Sequence, residues 1–503
     1  MPDWEIREVD WPIDPPAAVQ AFAAGDELAW LDSASAAPNP PAAARYSLIC
    51  ARPLARLEQV EDGPATLRVG GKTLDADASG WRLWQRTVRR LPVWPTPAAS
   101  LSPGWIGYVG FGMARQLEHL PQSHCDELGL PPLRLALYDR GVLLDHVAGR
   151  AWAVRAADFE LDGRRAEDPD WLARWNAAAK ATAVPPAPLR VERHELTGRT
   201  AHEAAVARAL AYIAAGDVYQ VNLARCIRLE GVGDALGLYA AVRAANPAPY
   251  AALLQWPGGA VASVSPELFL RVRGDEVLTR PIKGTRPRCG EPVADAAARA
   301  DLLGSAKEAA ELTMIVDLHR NDLGRVCRFG SVQVARPRAV EAHPTVFHTV
   351  ADVVGRLSPG RTPLDALAAC FPAGSVTGVP KIRAMQIIDE LEPVARGVYT
   401  GAVGGLGLDG QMTFNVAIRT LQMRGSAATL YIGGGIVADS DPAAEYEETC
   451  DKARGILRGL SGPPVANRCH NEVAPITDRC HSEVASAANQ CHRLAAAEGE
   501  RRA

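Results

Sequence analysis

Between about residue 190 and residue 460, helical stretches and β-rich segments follow one another without strict strand–helix–strand alternation. Helical spacing covers 201–215, 294–318, 363–369, 380–391 and 442–460, and the segments between are rich in β-branched residues and glycine. A parallel sheet needs a crossover helix between successive strands, so this pattern points to an α+β fold built on antiparallel sheets. The part before it carries short β-like runs at 46–50, 141–145 and 151–155, bounded by turn residues. A helical stretch at 168–182 then runs into Pro185-Pro186-Ala187-Pro188. Prolines cannot continue a helix, so a linker or domain seam is expected there. The expected division is 1–189, 190–462 and a tail, 463–503.

In the tail Cys469-His470, Cys480-His481 and Cys491-His492 recur eleven residues apart. Eleven residues is close to three helical turns, so the pairs could share a face. Their spacing matches no compact zinc pattern, and a low-complexity tail is the preferred reading.

The 503 residues suffice for a large core, and 48% hydrophobic with 22% charged residues is an ordinary globular composition. A net charge of −4 gives no basic excess for nucleic acid. No apolar run approaches the roughly 20 residues that span a bilayer. The start, Met1-Pro2-Asp3-Trp4-Glu5, lacks a signal peptide's basic and apolar segments, and the ten cysteines form no CxxC pair. A cytoplasmic protein with reduced thiols is expected.

Two helical stretches carry carboxylates one turn apart, Glu308 with Glu311 and Glu445 with Glu448. The spacing puts each pair on one helix face. Facing each other, the pairs would offer Mg²⁺ the oxygen ligands it takes. From spacing alone the plainer reading stands ahead: two solvated faces with surface ion pairs such as Glu448 with Lys452. The segment 371–381, FPAGSVTGVPK, places glycines, hydroxyls and a proline before a helix. Free N–H groups at such a helix start suit a carboxylate or phosphate. Gly433-Gly434-Gly435 lies between apolar flanks and opens no helix, which speaks against a dinucleotide fold. Glycines inside a strand fit close approach to a ligand or sheet packing equally well. Lys283, in the basic run 279–288, could act as a nucleophile only if burial or a neighbouring cation kept it neutral. Arg280 and Arg286 are the cations at hand.

Taken in order, seven stretches resemble the chorismate-utilising family: anthranilate synthase component I, aminodeoxychorismate synthase component I, and the isochorismate and salicylate synthases. They are GDVYQVNLAR from Gly216, SVSPELF from Ser263, RPIKGTRPR from Arg280 and KEAAELTMIVDLHRNDLGRV from Lys307. FPAGSVTGVPKIRAMQIIDELEP from Phe371, TFNVAIRTL from Thr413 and IGGGIVADSDPAAEYEETCDKA from Ile432 complete the set. The resemblance is dense from about residue 190 to 460, weaker before, and reaches no counterpart for the tail.

The resemblance implies two antiparallel sheets packed as a sandwich with surrounding helices, and an active-site cleft. It implies Mg²⁺ on Glu311 and Glu448, supported by Glu308 and Glu445, holding a carboxylate of chorismate. Arg419, Tyr399 and Gly433, Gly434 and Gly435 match the groups that grip the second carboxylate. Ser375, His348 and Lys452 match further active-site positions, and Gly284 and Thr285 flank Lys283 in its motif. Where water-adding members carry a lysine, this chain has Gln220, so water is an unsuitable nucleophile. Anthranilate synthases read Pro-Ile-Ala-Gly-Thr where this chain reads Pro281-Ile282-Lys283-Gly284-Thr285. The lysine is the aminodeoxychorismate synthase pattern, and it implies amination of chorismate at C4 through a Lys283 adduct at C2, with Glu267 as general acid. The product would be 4-amino-4-deoxychorismate, for 4-aminobenzoate and folate. Nothing resembles a glutamine amidotransferase nucleophile loop, so ammonia is expected from a separate amidotransferase subunit. The resemblance also implies a tryptophan pocket in the N-terminal part, with Leu31-Asp32-Ser33 at its entrance.

Overall fold

Alternating apolar residues over short strands build two large antiparallel sheets in the computed structural model, which describes residues 2–23, 25–33, 45–61, 63–95, 101–165, 168–182, 191–343 and 346–460. The first sheet runs Trp4–Val9, Arg150–Ala156, Arg140–Asp145, Tyr46–Ala51, Leu28–Asp32, Tyr250–Trp256 and Gly259–Ser265. It continues through Thr420–Arg424, Ala427–Ile436, Gln220–Glu230 and Glu192–Glu195. The second runs Ile282–Pro287, Val346–Arg356, Glu276–Arg280, Leu268–Arg273, Met412–Val416 and Ala402–Gly407. It continues through Gly104–Val109, Leu133–Leu137, Ala55–Gln59, Ala65–Val69 and Lys72–Asp77, and Gln333–Ala342 pairs with Val346–Arg356 off this path.

The sheets face each other across a core that mixes both, Leu48, Cys50 and Leu254 from the first with Ile106, Tyr108 and Val403 from the second. Each outer face is covered by helices. Trp30, Leu253 and Leu430 pack with helix residues Val19, Trp175, Tyr239 and Ile456 on one side. Leu135, Phe269 and Phe414 pack with Trp84, Leu312 and Leu367 on the other. This is the expected α+β sandwich, because the inner strands have one face for the other sheet and one for helices.

The proline seam does not divide the molecule. Both sheets take strands from either side of it, with Leu28–Asp32 pairing Tyr250–Trp256 and Gly104–Val109 pairing Ala402–Gly407. Residues 1–462 form one compact unit, so the expected boundary at 189/190 is corrected. The seam itself, at 183–190, and the Cys–His tail lie outside the described residues.

The stretch at 294–318 was expected as one helix and is two, Pro292–Gly304 and Ala306–Gly324. Ser305 breaks it with extended backbone, and its hydroxyl accepts the Glu308 N–H as an N-cap. That cap starts the second helix one turn before the carboxylates it presents. Among the described residues no helix is long and apolar enough to cross a membrane.

Candidate active site

The site forms where the edge strand Ile282–Pro287 of one sheet meets Gln220–Glu230 and Ala427–Ile436 of the other. Lys283 lies on the edge strand with its side chain only 13% exposed. A Cβ on Gly435 would stand 3.3 Å from Lys283 Nζ and 3.1 Å from Gln220 Nε2, so the missing side chain lets the lysine reach across. Burial lowers the Lys283 pKa first, and Lys452 lowers it further, while Glu311, Glu267 and Glu308 oppose. The cations expected to do this, Arg280 and Arg286, are spent elsewhere. Arg280 pairs with Asp352 at 2.6 Å, and Arg286 with Asp301 at 2.5 Å and Glu308 at 3.5 Å.

Glu267 is buried at the turn between Gly259–Ser265 and Leu268–Arg273. Burial raises its pKa to about 7, against the Ser375 hydroxyl, the Lys283 charge and the Ile282 N–H. Ser375 Oγ donates to Glu267 Oε1 across 2.6 Å. Thus a lysine pushed toward neutrality and a carboxyl pushed toward protonation face each other electrostatically, the pairing expected of a nucleophile with a general acid.

The segment 371–381 has less free than its composition suggested. Thr377 Oγ1 donates to Ala373 O at 3.1 Å, and Lys381 Nζ is held by Asp322 at 2.6 Å and Cys370 O at 2.8 Å. Its glycines serve packing: Gly378 has φ +149, and a Cβ there would stand 2.2 Å from Gln220 O. The segment brings Ser375 to the site, and the helix Lys381–Leu391 that follows it starts without a side-chain cap.

Gly433, Gly434 and Gly435 pair with Ala224, Leu223 and Asn222. A Cβ on Gly433 would meet Asn222 Oδ1 and Tyr399 Oη, each at 2.9 Å, and one on Gly434 would meet Glu445 Oε2 at 3.0 Å. The glycine run is therefore a floor ringed by polar atoms. Tyr399 is buried and stacked on Tyr431 with ring centroids 5.5 Å apart. Arg419 sits at φ +50 and the neighbouring Thr400 at φ +59, both left-handed conformations that cost about 1 kcal/mol for such residues. Among the described residues no carboxylate pairs with Arg419, whose pKa burial lowers. Burial, and then Arg419, push the His348 pKa down to about 3. Thr285 Oγ1 lies 3.0 Å from His348 Nδ1, and Gly284, at φ +72, brings its carbonyl to 3.4 Å from the same nitrogen.

Four polar side chains stand here with orphaned atoms, and sequence reasoning passed over two of them, Asn222 and His343. Both side-chain ends of Gln220, Asn222 Oδ1 and the Nε2 atoms of His343 and His348 are buried without partners. Gln220 and Asn222 are two apart on one strand, so they share a face toward the glycine floor; that i, i+2 polar pair in an apolar strand was the available signal. Buried polar atoms without partners are costly, so each calls for a water, an ion or a ligand that the protein itself does not supply.

The carboxylates come from the helices Ala306–Gly324 and Pro442–Leu457. Glu311 lies 3.7 Å from Lys283 and 4.0 Å from Lys307, and Glu448 pairs with Lys452 at 2.7 Å. Lys452 also donates to Gly433 O at 2.9 Å. Ser440 donates to Glu445 at 2.6 Å, while burial and Glu448 raise the Glu445 pKa. Burial raises that of Glu448, and Lys452, Lys307 and Lys283 together outweigh it and lower the pKa. Among the described residues no three such ligands gather closely enough to hold a metal ion. The two pairs nevertheless share Lys283 and Lys307 as neighbours, and their oxygens are of the kind Mg²⁺ takes, so they fit the ion in kind.

Leu31, Asp32 and Ser33 line a separate cavity of about 70 Å³ with Tyr250, Arg271 and Asn415. Asp32 is spent on Tyr239 at 2.8 Å, Ser47 at 3.1 Å and Arg243 at 2.5 Å.

Residues 48–458 match the family model described as chorismate binding enzyme. The chain belongs to the chorismate-binding enzyme family. Relatives within it split between two names. The aminodeoxychorismate synthase component 1 of Klebsiella aerogenes is 37% identical over 83% of this chain and 90% of its own. An anthranilate synthase component 1 of Haloarcula marismortui is 40% identical over 71% and 76%. The crystal structure of anthranilate synthase component I from Streptococcus pneumoniae superposes with a TM-score of 0.71 at 30% identity, covering 84% of this chain and 93% of that one. The family match crosses the proline seam, as the composite sheets do.

Proposed function

We propose that this enzyme aminates chorismate at C4, giving 4-amino-4-deoxychorismate. The observation that carries the reading is Lys283, buried with a lowered pKa beside a Glu267 whose pKa is raised to about 7. Direct displacement of the C4 hydroxyl by ammonia would invert the carbon. Attack of Lys283 Nζ on C2 instead shifts the ring double bonds and expels the C4 hydroxyl, which takes the Glu267 proton and leaves as water. Ammonia then adds at C4, the double bonds shift back, and the lysine departs with the configuration kept. The burial that lowers the lysine's pKa leaves more of it as the free amine this needs.

Arg419 and the floor of Gly433 to Gly435, with Tyr399, suit one substrate carboxylate, since Arg419 lacks a carboxylate partner of its own. Glu311 and Glu448 would hold Mg²⁺, with Glu308 and Glu445 beside them. When bound, the ion supplies positive charge to the other carboxylate. Lys452 adds a cation at the same edge. Ammonia would come from a separate amidotransferase that hydrolyses glutamine.

The second reading is anthranilate synthesis, favoured by relatives of that name at 40–41% identity. Product identification decides: the protein alone with chorismate, Mg²⁺ and excess ammonium, beside Lys283→Ala. Aminodeoxychorismate from the wild type and a loss of at least about a hundredfold in the variant support the proposal. A fluorescent anthranilate product, or an equally fast variant, moves the assignment to the second reading.

A further inference from the structure

Three segments that build the site converge on one buried guanidinium, that of Arg396. Its Nε and Nη2 donate to Glu392 at 2.8 and 2.6 Å. Nη1 donates to Val376 O and to Thr400 Oγ1, each at 3.0 Å, and Nη2 to Asn222 O at 2.8 Å. Glu392 alone answers the charge. The other three bonds go to neighbours of the site. Val376 follows Ser375, whose hydroxyl holds Glu267 at 2.6 Å. Thr400 follows Tyr399 and sits at φ +59, a conformation that persists only where its surroundings hold it. Asn222 stands opposite Gly435, and Glu392 takes the Ala224 N–H at 2.8 Å, opposite Gly433. The guanidinium also lies 5.6 Å from the centre of the Tyr399 ring. A guanidinium is planar, with donors at fixed angles, so it keeps its acceptors at fixed separations; an ammonium on a flexible stem does not.

We propose that Arg396 is a positioning residue for the reaction proposed above: it fixes Ser375 against Glu267 and Tyr399 beside the glycine floor. The inference rests on the reading of Glu267 as the acid. The groups that bear on Glu267 are the Ser375 hydroxyl, the Lys283 charge and the Ile282 N–H, so Arg396 reaches it through Ser375 and not through its own charge.

The test is Arg396→Lys in the full chain, alone and combined with Ser375→Ala, with chorismate consumption followed across pH at constant free ammonia, beside thermal unfolding. Consumption is read because it does not depend on which product forms. Lysine keeps the positive charge and loses the fork, so a moved pH limb reports Ser375 and not a missing cation. The expected result is a kcat lower by about tenfold or more, the scale of a small misplacement. KM for chorismate should rise, and the alkaline limb of kcat should move to higher pH, as it should in Ser375→Ala. In the Ser375→Ala background Arg396→Lys should move the limb no further. If Arg396→Lys does not fold, Arg396→Met with Glu392→Gln strands no charge and takes its place with the same expectations. A lower Tm with the limb and KM of the wild type overturns the inference and leaves Arg396 half of a core ion pair. So does a limb that Arg396→Lys moves equally far with and without the Ser375 hydroxyl. If Ser375→Ala itself leaves the limb in place, the reading of Glu267 falls and the inference falls with it.

Discussion

Ser375 Oγ donates to Glu267 Oε1 across 2.6 Å, and this bond sets how far burial can lift the pKa of the carboxyl. The hydroxyl favours the ionised form, so it pulls down a pKa that burial raises to about 7. A general acid must be protonated when the C4 hydroxyl leaves. With free ammonia held constant, kcat should fall as pH rises through about 7, where Glu267 loses its proton. Ser375→Ala removes the bond that favours ionisation, so the alkaline limb should move to higher pH. A limb that stays in place or moves down would show that Glu267 is not the acid.

Gly435 gives a sharper test of Lys283. An added Cβ would stand 3.1 Å from Gln220 Nε2 and 3.3 Å from Lys283 Nζ, both flexible side-chain ends that can give way. The fold should tolerate Gly435→Ala with little change in Tm, while the lysine is displaced by a fraction of an ångström to an ångström. Misplacement on that scale costs on the order of a hundredfold in rate. A variant with full kcat would show that Lys283 does not need its observed position.

Much of this site was legible because its chemistry is local in sequence. Lys283, Glu267, Ser375 and the three glycines each sit in a short motif, and the structure brings them together. The composite sheets were not legible. Leu28–Asp32 finds Tyr250–Trp256 through matching apolar faces more than 200 residues apart, and periodicity carries no information on partners. The proline run therefore read as a seam where the fold has none. The break at Ser305 was hidden for a different reason: the residues on both sides keep helical spacing, and only a capping hydroxyl after Gly304 marks the stop. Burial is the larger cause of the lysine's lowered pKa, and the two arginines at hand in the sequence, Arg280 and Arg286, pair with carboxylates elsewhere. Lys452, distant in sequence, supplies the cation.

Arg396 and Glu392 are both nearly fully buried, at 1% and 6% side-chain exposure, and pair at 2.6 Å. Arg396 also donates to Asn222 O at 2.8 Å and Val376 O at 3.0 Å, and Glu392 accepts the Ala224 N–H at 2.8 Å. Arg396→Met leaves a carboxylate buried without its cation, which should cost about 3–5 kcal/mol in urea unfolding. Adding Glu392→Gln keeps an acceptor for Ala224 and removes the stranded charge, so the double variant should be more stable than the single one. If the double variant is the less stable, the pair is not the origin of the loss.

Arg419 should show the opposite balance between stability and activity. Among the described residues it has no carboxylate partner, and burial already lowers its pKa, so its charge is a cost in the free protein. Arg419→Gln should leave Tm unchanged or raise it. The same change removes a charge-assisted contact to a substrate carboxylate, worth about 1.5–3 kcal/mol, so KM for chorismate should rise roughly tenfold to a hundredfold. The imidazole of His348 gives an independent reading. Its pKa, held at about 3 first by burial and then by Arg419, should rise in the variant, because a nearby positive charge disfavours imidazolium. A variant that loses stability, keeps KM and leaves His348 unmoved would make Arg419 a structural residue and place the substrate carboxylate elsewhere.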